Sequence, residues 1–202
     1  MIIGIDVSQH NGIPDWHAIA DWGVRFAMVR LGYGRGHLDE RFYQNINGAL
    51  NAGLMVGAYY YSYALEEEEA AEEASFMAHV LADAGLTADK LLMDCWLDME
   101  DADGYKERYG IRDDRVITGM CRTFLEEMNS HGYPCGIYAS YDWLTGCIHV
   151  DELPEHTAYW CAQWGHHCDF ARAAVWQYTD RLEIGQRIFD GNLLLAEGRS
   201  FP

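Results

Sequence analysis

Basic residues are scarce in this chain. There are 14 Lys and Arg against 32 Asp and Glu, a formal net charge of −18. Binding to a nucleic acid backbone needs clustered Lys and Arg, so nucleic acid is excluded as a partner. A negatively charged surface gains nothing from such a charge either. Long apolar runs are missing, so membrane insertion is not expected. The opening MIIGIDVS passes straight into a strand pattern, with neither a basic leader nor a long apolar core. No signal peptide is therefore expected, and synthesis in the cytoplasm follows. Proline is rare, with 4 in the chain, and no Pro-, Ser- or Gly-rich linker, fixed-period repeat or low-complexity segment appears beyond the acidic run at 66–73. One domain over 1–202 is expected. The cysteines at 95, 121, 135, 147, 161 and 168 lack the spacing of a disulfide framework and sit mostly inside apolar runs. They read as free thiols of a chain folded in reducing surroundings.

Half of the residues are apolar, enough for a substantial core. Alternating or continuous apolar runs predict eight strands: 2–8, 26–34, 54–64, 91–101, 135–141, 158–164, 173–179 and 187–194. Helices are predicted over about 15–22, 39–52, 66–84 and 113–130, with Gly53 as a stop signal and Glu66 to Glu69 loading the first turn of the third. The segment GYKERYGIRD, 104–113, reads as a loop.

The connections decide the architecture. Between the first five strands each link can hold a helix, which predicts parallel βαβ units. From the sixth strand onward the links shrink to about eight residues, too short for a crossover helix, and favour antiparallel or irregular returns. An ordinary eight-stranded β/α barrel runs to about 250 residues. The expected fold is an α/β, TIM-like barrel of eight strands with a reduced helix set, approximately (β/α)5(β)3.

The stretch LLMDCWLDMED, 91–101, carries Asp98 and Glu100 where an apolar strand ends. Read as one strand, it puts both side chains on one side with Cα atoms roughly 6.5–7 Å apart. Pairing two acids there costs repulsion and desolvation. Glycoside hydrolysis uses such a pair, one carboxyl kept protonated as an acid and a second group stabilising positive charge at the anomeric carbon. Two solvated acids in a loop would look the same. In a barrel, however, working groups gather at the C-terminal ends of the parallel strands. Asp6 ends the first strand, and Asp190 on the eighth would close against it. The alternating Tyr59, Tyr61 and Tyr63 would offer aromatic faces for sugar rings to a groove, or form a plain barrel layer.

The motifs GIDVSQHNG with a following DW, FAMVRLGYG, VGAYYYSYA, WLDMED, AYWCAQW, AVWQYT and FDGN, in this order, resemble glycoside hydrolase family 25. These are the N-acetylmuramidases often called Chalaropsis-type lysozymes, common among phage endolysins. The resemblance covers nearly the whole chain. It implies a truncated β/α barrel, four acidic site positions at Asp6, Asp98, Glu100 and Asp190, and an acid/base role for Glu100. It also implies hydrolysis of the β-1,4 bond between N-acetylmuramic acid and N-acetylglucosamine in bacterial peptidoglycan, with retention of configuration. The substrate's acetamido oxygen would be the nucleophile, oriented by Asp98. Tyr61, Tyr138, Gln163 and Gln177 would line the groove. The partner implied is cell-wall peptidoglycan, reached by release or export through an unidentified route, and a monomer is expected.

Two other functions fit parts of the sequence. A chitinase-like enzyme of glycoside hydrolase family 18 would carry a further aspartate four residues before the glutamate, but that position is Trp96, and Asp94 falls six residues before instead. A non-catalytic glycan-binding barrel would be favoured by an amide at one of the four acids, and none is an amide. Cys161, His166, His167 and Cys168 invite a zinc reading. Adjacent ligands at 166–168 cannot readily converge on one tetrahedral ion, so neither a metal nor another cofactor is expected.

Overall fold

Short βαβ units, each laying an apolar strand beside the previous one, build the molecule from its N-terminus. The computed structural model describes residues 2–195; the segment 196–202 of the expected domain lies outside the described residues. Strand β1 (Ile2–Val7) leads through α1 (Trp16–Trp22) to β2 (Phe26–Tyr33), and a two-residue strand β3 (His37–Leu38) folds back on β2. Helix α2 (Phe42–Asn51), β4 (Met55–Tyr61), α3 (Glu67–Asp83) and β5 (Cys95–Asp98) follow. Then come α4 (Tyr105–Arg108), α5 (Asp114–Ser130), β6 (Cys135–Ser140), α6 (Tyr141–Gly146), β7 (Tyr159–Ala162), β8 (Ala173–Ile184) and β9 (Arg187–Leu194).

The strands run β1-β2-β4-β5-β6-β7-β8-β9, and β9 closes on β1. Pairing is parallel from β1 to β8 and antiparallel on both sides of β9. Helices follow five of the eight barrel strands, so the expected (β/α)5(β)3 arrangement is the observed one. The β7–β8 crossover is an irregular loop and β8–β9 is a hairpin turning at Gly185, whose φ of 62° suits glycine.

Two apolar clusters result. Between barrel and helices lie residues such as Ile5, Val29, Leu97, Met77 and Phe124. Inside the barrel Phe26, Met28, Tyr59, Met93, Trp96, Trp160 and Val175 pack together. The rings fit because glycines face them. A Cβ on Gly4 would fall 2.2 Å from the Phe26 ring, and one on Gly136 would fall 2.6 Å from Trp96 and 2.7 Å from the Ala158 carbonyl. This interior is a filled floor, with space left at the C-terminal ends of the parallel strands.

Three expectations need correction. The predicted strand 91–101 is paired only over Cys95–Asp98. Residues before it form turns, Asp94 has a φ of 58°, and the Trp96 indole donates to the Met93 carbonyl at 2.6 Å. Left-handed backbone breaks a strand, and the apolar Leu91 and Met93 are buried without belonging to one. Glu100 thus stands two residues past the strand. The expected loop 104–113 contains α4, whose first N–H groups are met by Asp101: Lys106 N donates to Oδ1 at 2.7 Å and Glu107 N to Oδ2 at 2.9 Å. Strand β8 extends to Ile184, five residues beyond the predicted end; polar Asp180, Arg181 and Glu183 hid this exposed half of the hairpin.

Gly136→Ala should destabilise the fold by about 1–3 kcal/mol, because Trp96 and a carbonyl would have to move together. A lower urea midpoint with an unchanged denaturant slope is the expected result.

Candidate active site

The end of β1 brings the first carboxyl to the barrel mouth, because alternation turns Asp6 inward while Ile5 and Val7 pack outward. Asp6 lies directly across from Asp190 in the β1–β9 register. Two amides hold it: Asn192 Nδ2 donates to Asp6 Oδ2 at 2.7 Å and Gln177 Nε2 to the same oxygen at 3.0 Å. Each amide is oriented in turn. The Trp160 indole donates to Asn192 Oδ1 at 2.7 Å, and Tyr138 Oη donates to Gln177 Oε1 at 3.1 Å. This chain of donors starts in the core and leaves neither amide free to turn.

Asp98 ends β5, 5% exposed, and its Oδ1 has no hydrogen-bond partner. Burial first, then the charge on Glu100, pushes its carboxyl well above the usual range, while Lys106 and Arg30 oppose the rise. Glu100 is half-buried, and burial raises its carboxyl too, again against Lys106. Burial and then the charge of Asp190 raise Asp6, and burial raises Asp190 as well. Four carboxyls in one poorly solvated space cannot all ionise cheaply. The site therefore retains protons where isolated acids would have lost them.

Tyr138 marks the centre. After burial, the charges that raise its phenol are those of Asp98, Glu100, Asp6 and Asp190. Tyr61 feels Glu100 and Asp98 and packs on Tyr63, with ring centroids 5.0 Å apart. Beside it a cavity of about 250 Å³ is lined by Gln9, His10, Arg30, Tyr33, Tyr61 and Tyr63.

Seven of the eight residues singled out from the sequence thus stand together: Asp6, Asp98, Glu100, Asp190, Tyr61, Tyr138 and Gln177. Gln163 is tied to Gln177 through its backbone N–H, which donates to the Gln177 carbonyl at 3.1 Å, while its side chain is engaged elsewhere. Its amide is engaged by Asp169, Nε2 donating to Oδ2 at 2.6 Å and Oε1 accepting from the backbone N–H at 2.7 Å, which closes the loop after β7. The Gln163 carbonyl accepts from the Trp176 indole at 2.7 Å. In the same loop His167 pairs with Asp169 at 3.3 Å.

Sequence reasoning missed Asn192, Arg30 and Lys106. Asn192 was legible, since it shares the face of Asp190 two residues on. Arg30 faces the mouth from β2 and pairs with the buried Asp39, Nε to Oδ2 at 2.8 Å. No local pattern distinguishes it from a surface arginine. Lys106 was hidden by the reading of its segment as a loop.

Asp98→Asn should stabilise the protein near neutral pH, since the carboxylate is buried, crowded and partly unpartnered. A carboxyl that holds its proton more tightly when folded helps stability below its unfolded value, about 3.9. That help is lost as pH rises toward the folded value. Denaturation midpoints of the variant and the parent should therefore be nearest at low pH and diverge toward neutrality, the variant being higher.

Comparison with known proteins agrees with this geometry. The chain is 25% identical over 194 residues to Lysozyme M1 of Streptomyces globisporus, covering 90% of this chain and 63% of that protein's length. It is 24% identical over 206 residues to the N,O-diacetylmuramidase of Arthroderma benhamiae, covering 94% and 83% of the two. The crystal structure of a bacterial lysozyme from Streptomyces coelicolor superposes with a TM-score of 0.82 at 22% identity, over 98% of this chain and 93% of the other. That likeness shows the shared barrel. The profile of glycosyl hydrolases family 25 matches residues 5–186, a span that holds Asp6, Asp98 and Glu100 and stops just before Asp190. The chain belongs to glycosyl hydrolases family 25.

Proposed function

We propose that this chain is a lysozyme, an N-acetylmuramidase that hydrolyses the β-1,4 bond between N-acetylmuramic acid and N-acetylglucosamine in bacterial peptidoglycan. The observation that carries the reading is the crowding of four carboxyls around Tyr138 at the barrel mouth, within a family of glycosyl hydrolases. Relatives named lysozyme and N,O-diacetylmuramidase support the same substrate class.

Glu100 is the general acid. Burial raises its carboxyl above the ordinary range, and its place past the strand end leaves it half-exposed toward an incoming glycosidic oxygen. Asp98, at the end of β5, accepts from the acetamido N–H and steers that group's oxygen to the anomeric carbon. Departure of the leaving group and attack by the acetamido oxygen then give an oxazolinium and retention of configuration after water adds. Asp6 and Asp190 supply negative charge beside the developing cation, and Gln177 and Asn192 fix Asp6.

Substrate binding falls to aromatic faces. Tyr61, Tyr63, Tyr33 and Tyr105 border the mouth, and the last three line a second cavity of about 330 Å³ with Arg35 and His37. Gln163 supports the groove through its loop. A monomer is part of this proposal. No described helix is long and apolar enough to cross a membrane. The enzyme acts on the wall after release or export.

Digestion of peptidoglycan followed by borohydride reduction should convert muramic acid to its alcohol. New glucosamine ends would instead make the enzyme a glucosaminidase, and no new ends would favour a glycan-binding barrel.

Glu100→Gln should lower kcat by about 10²–10⁴-fold with the fold intact, because the amide cannot donate the proton. The loss should shrink on a substrate with an activated leaving group. Equal losses on both substrates would move the acid role to another carboxyl.

A further inference from the structure

Lys106 is a cation buried where the proposed reaction needs acids. It is 2% exposed, the only lysine or arginine among the buried described residues. Burying an ammonium costs several kcal/mol unless partners surround it. Its partners are specific. The ammonium donates to the carbonyl of Ser62, just past β4, at 2.5 Å and to the carbonyl of Glu100 at 3.2 Å. The Ser62 N–H in turn donates to the Asp98 carbonyl at 3.0 Å. The backbones carrying Ser62, Asp98 and Glu100 are thus tied around one ammonium.

The loop that delivers Lys106 is built for the purpose. Asp101 caps α4 with both carboxylate oxygens, and its own carbonyl accepts from Gly104 N at 3.0 Å. Six residues after Glu100 the chain has turned back beneath it. From α3, the buried Glu73 faces the same region, its Oε1 accepting from Tyr63 N at 2.9 Å. Burial pushes Glu73 up to about 7, with Lys106 among the groups that oppose the rise.

Resting on the muramidase reading above, we propose that Lys106 is a positioning residue for the reaction: its ammonium anchors the Glu100 backbone and sets the potential in which Asp98 and Glu100 work. The charges around this pair come from every side. Asp6 and Asp190 face it from β1 and β9, Asp101 and Asp103 from its own loop, and Arg30 from β2. Glu73 from α3 and Cys121 from α5 face Lys106 itself. Arg30 is already committed to Asp39. Lys106 is therefore the counter-charge that both members of the pair share, and it is the leading opponent of the rise in Glu100. A catalytic acid held too high transfers its proton poorly, and an orienting carboxylate held too high is neutral when it should be charged.

The test is the pH profile of kcat/KM on peptidoglycan for four proteins: the parent, E73Q, K106M, and E73Q with K106M, which leaves neither charge buried alone. An opposite charge close to a carboxyl lowers it by about one unit or more. Its removal raises both Asp98 and Glu100. Both limbs should therefore move to higher pH by about one unit in the variants carrying K106M, relative to E73Q, with kcat/KM down about tenfold at the parent's optimum. Limbs that coincide with those of E73Q would overturn the proposal. So would loss of the circular dichroism of the folded protein in both K106M variants, which would make Lys106 a folding residue. An inactive parent would instead refute the muramidase reading, and is told apart because it is seen before any variant is compared.

Discussion

Desolvated carboxyl charge is the constraint on which the rest of this structure depends. Asp6, Asp98, Glu100 and Asp190 meet at the mouth of a barrel whose floor is filled by Trp96, Trp160, Tyr59 and Phe26. Water cannot reach the acids from below; burial raises all four, Asp190 adds to the rise in Asp6 and in Glu100, and Glu100 and Asp6 add to that in Asp98. Such a cluster is tolerable only if protons or cations offset part of the charge. The fold supplies both. Asp6 and Asp190, opposed across the β1–β9 ladder, both take up protons more readily than isolated acids, and Arg30 and Lys106 oppose the rise in Asp98.

The floor does more than exclude water. Because the Trp160 indole donates to Asn192, the orientation of an amide that holds Asp6 is decided by packing among rings. Trp160 sits edge-on to Tyr59, Trp96 and Tyr138, with centroids 5.9, 5.9 and 4.5 Å away. A displacement of that indole would be felt at Asp6 through Asn192 and at Gln177 through Tyr138. Core rigidity and site geometry are one property here.

Much of this was legible in the residues. Strand alternation placed Asp6 and Asp190 on facing positions, and the shortening links after the sixth strand gave the helix-poor last third. Alternation also put Tyr59 and Tyr61 on one shared face. What stayed hidden depended on long-range contacts. Nothing in DGYKERYG marks a lysine as buried, since its partners Ser62 and Glu73 lie more than thirty residues upstream. The strand drawn through 91–101 failed because an apolar run says only that residues are buried, and Leu91 and Met93 are buried in turns. The bond from Gln163 to Asp169 stayed hidden for a similar reason: Asp169 lies in a loop whose closure no periodicity announces.

The shortened β5 also explains how two acids on one segment can differ. Had the strand continued through Asp101, Glu100 would have been clamped between neighbours as Asp98 is. Instead the last ladder-like bond on that side is Met99 N to the Tyr138 carbonyl at 2.9 Å. Beyond it Glu100 is carried by a loop that returns through Asp101 and α4. Asp98 is therefore held rigidly by pairing to β4 and β6. Glu100 is held by one ammonium, half-exposed, and able to reach. A group that only orients gains from the first kind of support, and a group that must pass a proton to an incoming oxygen and later take one from water gains from the second.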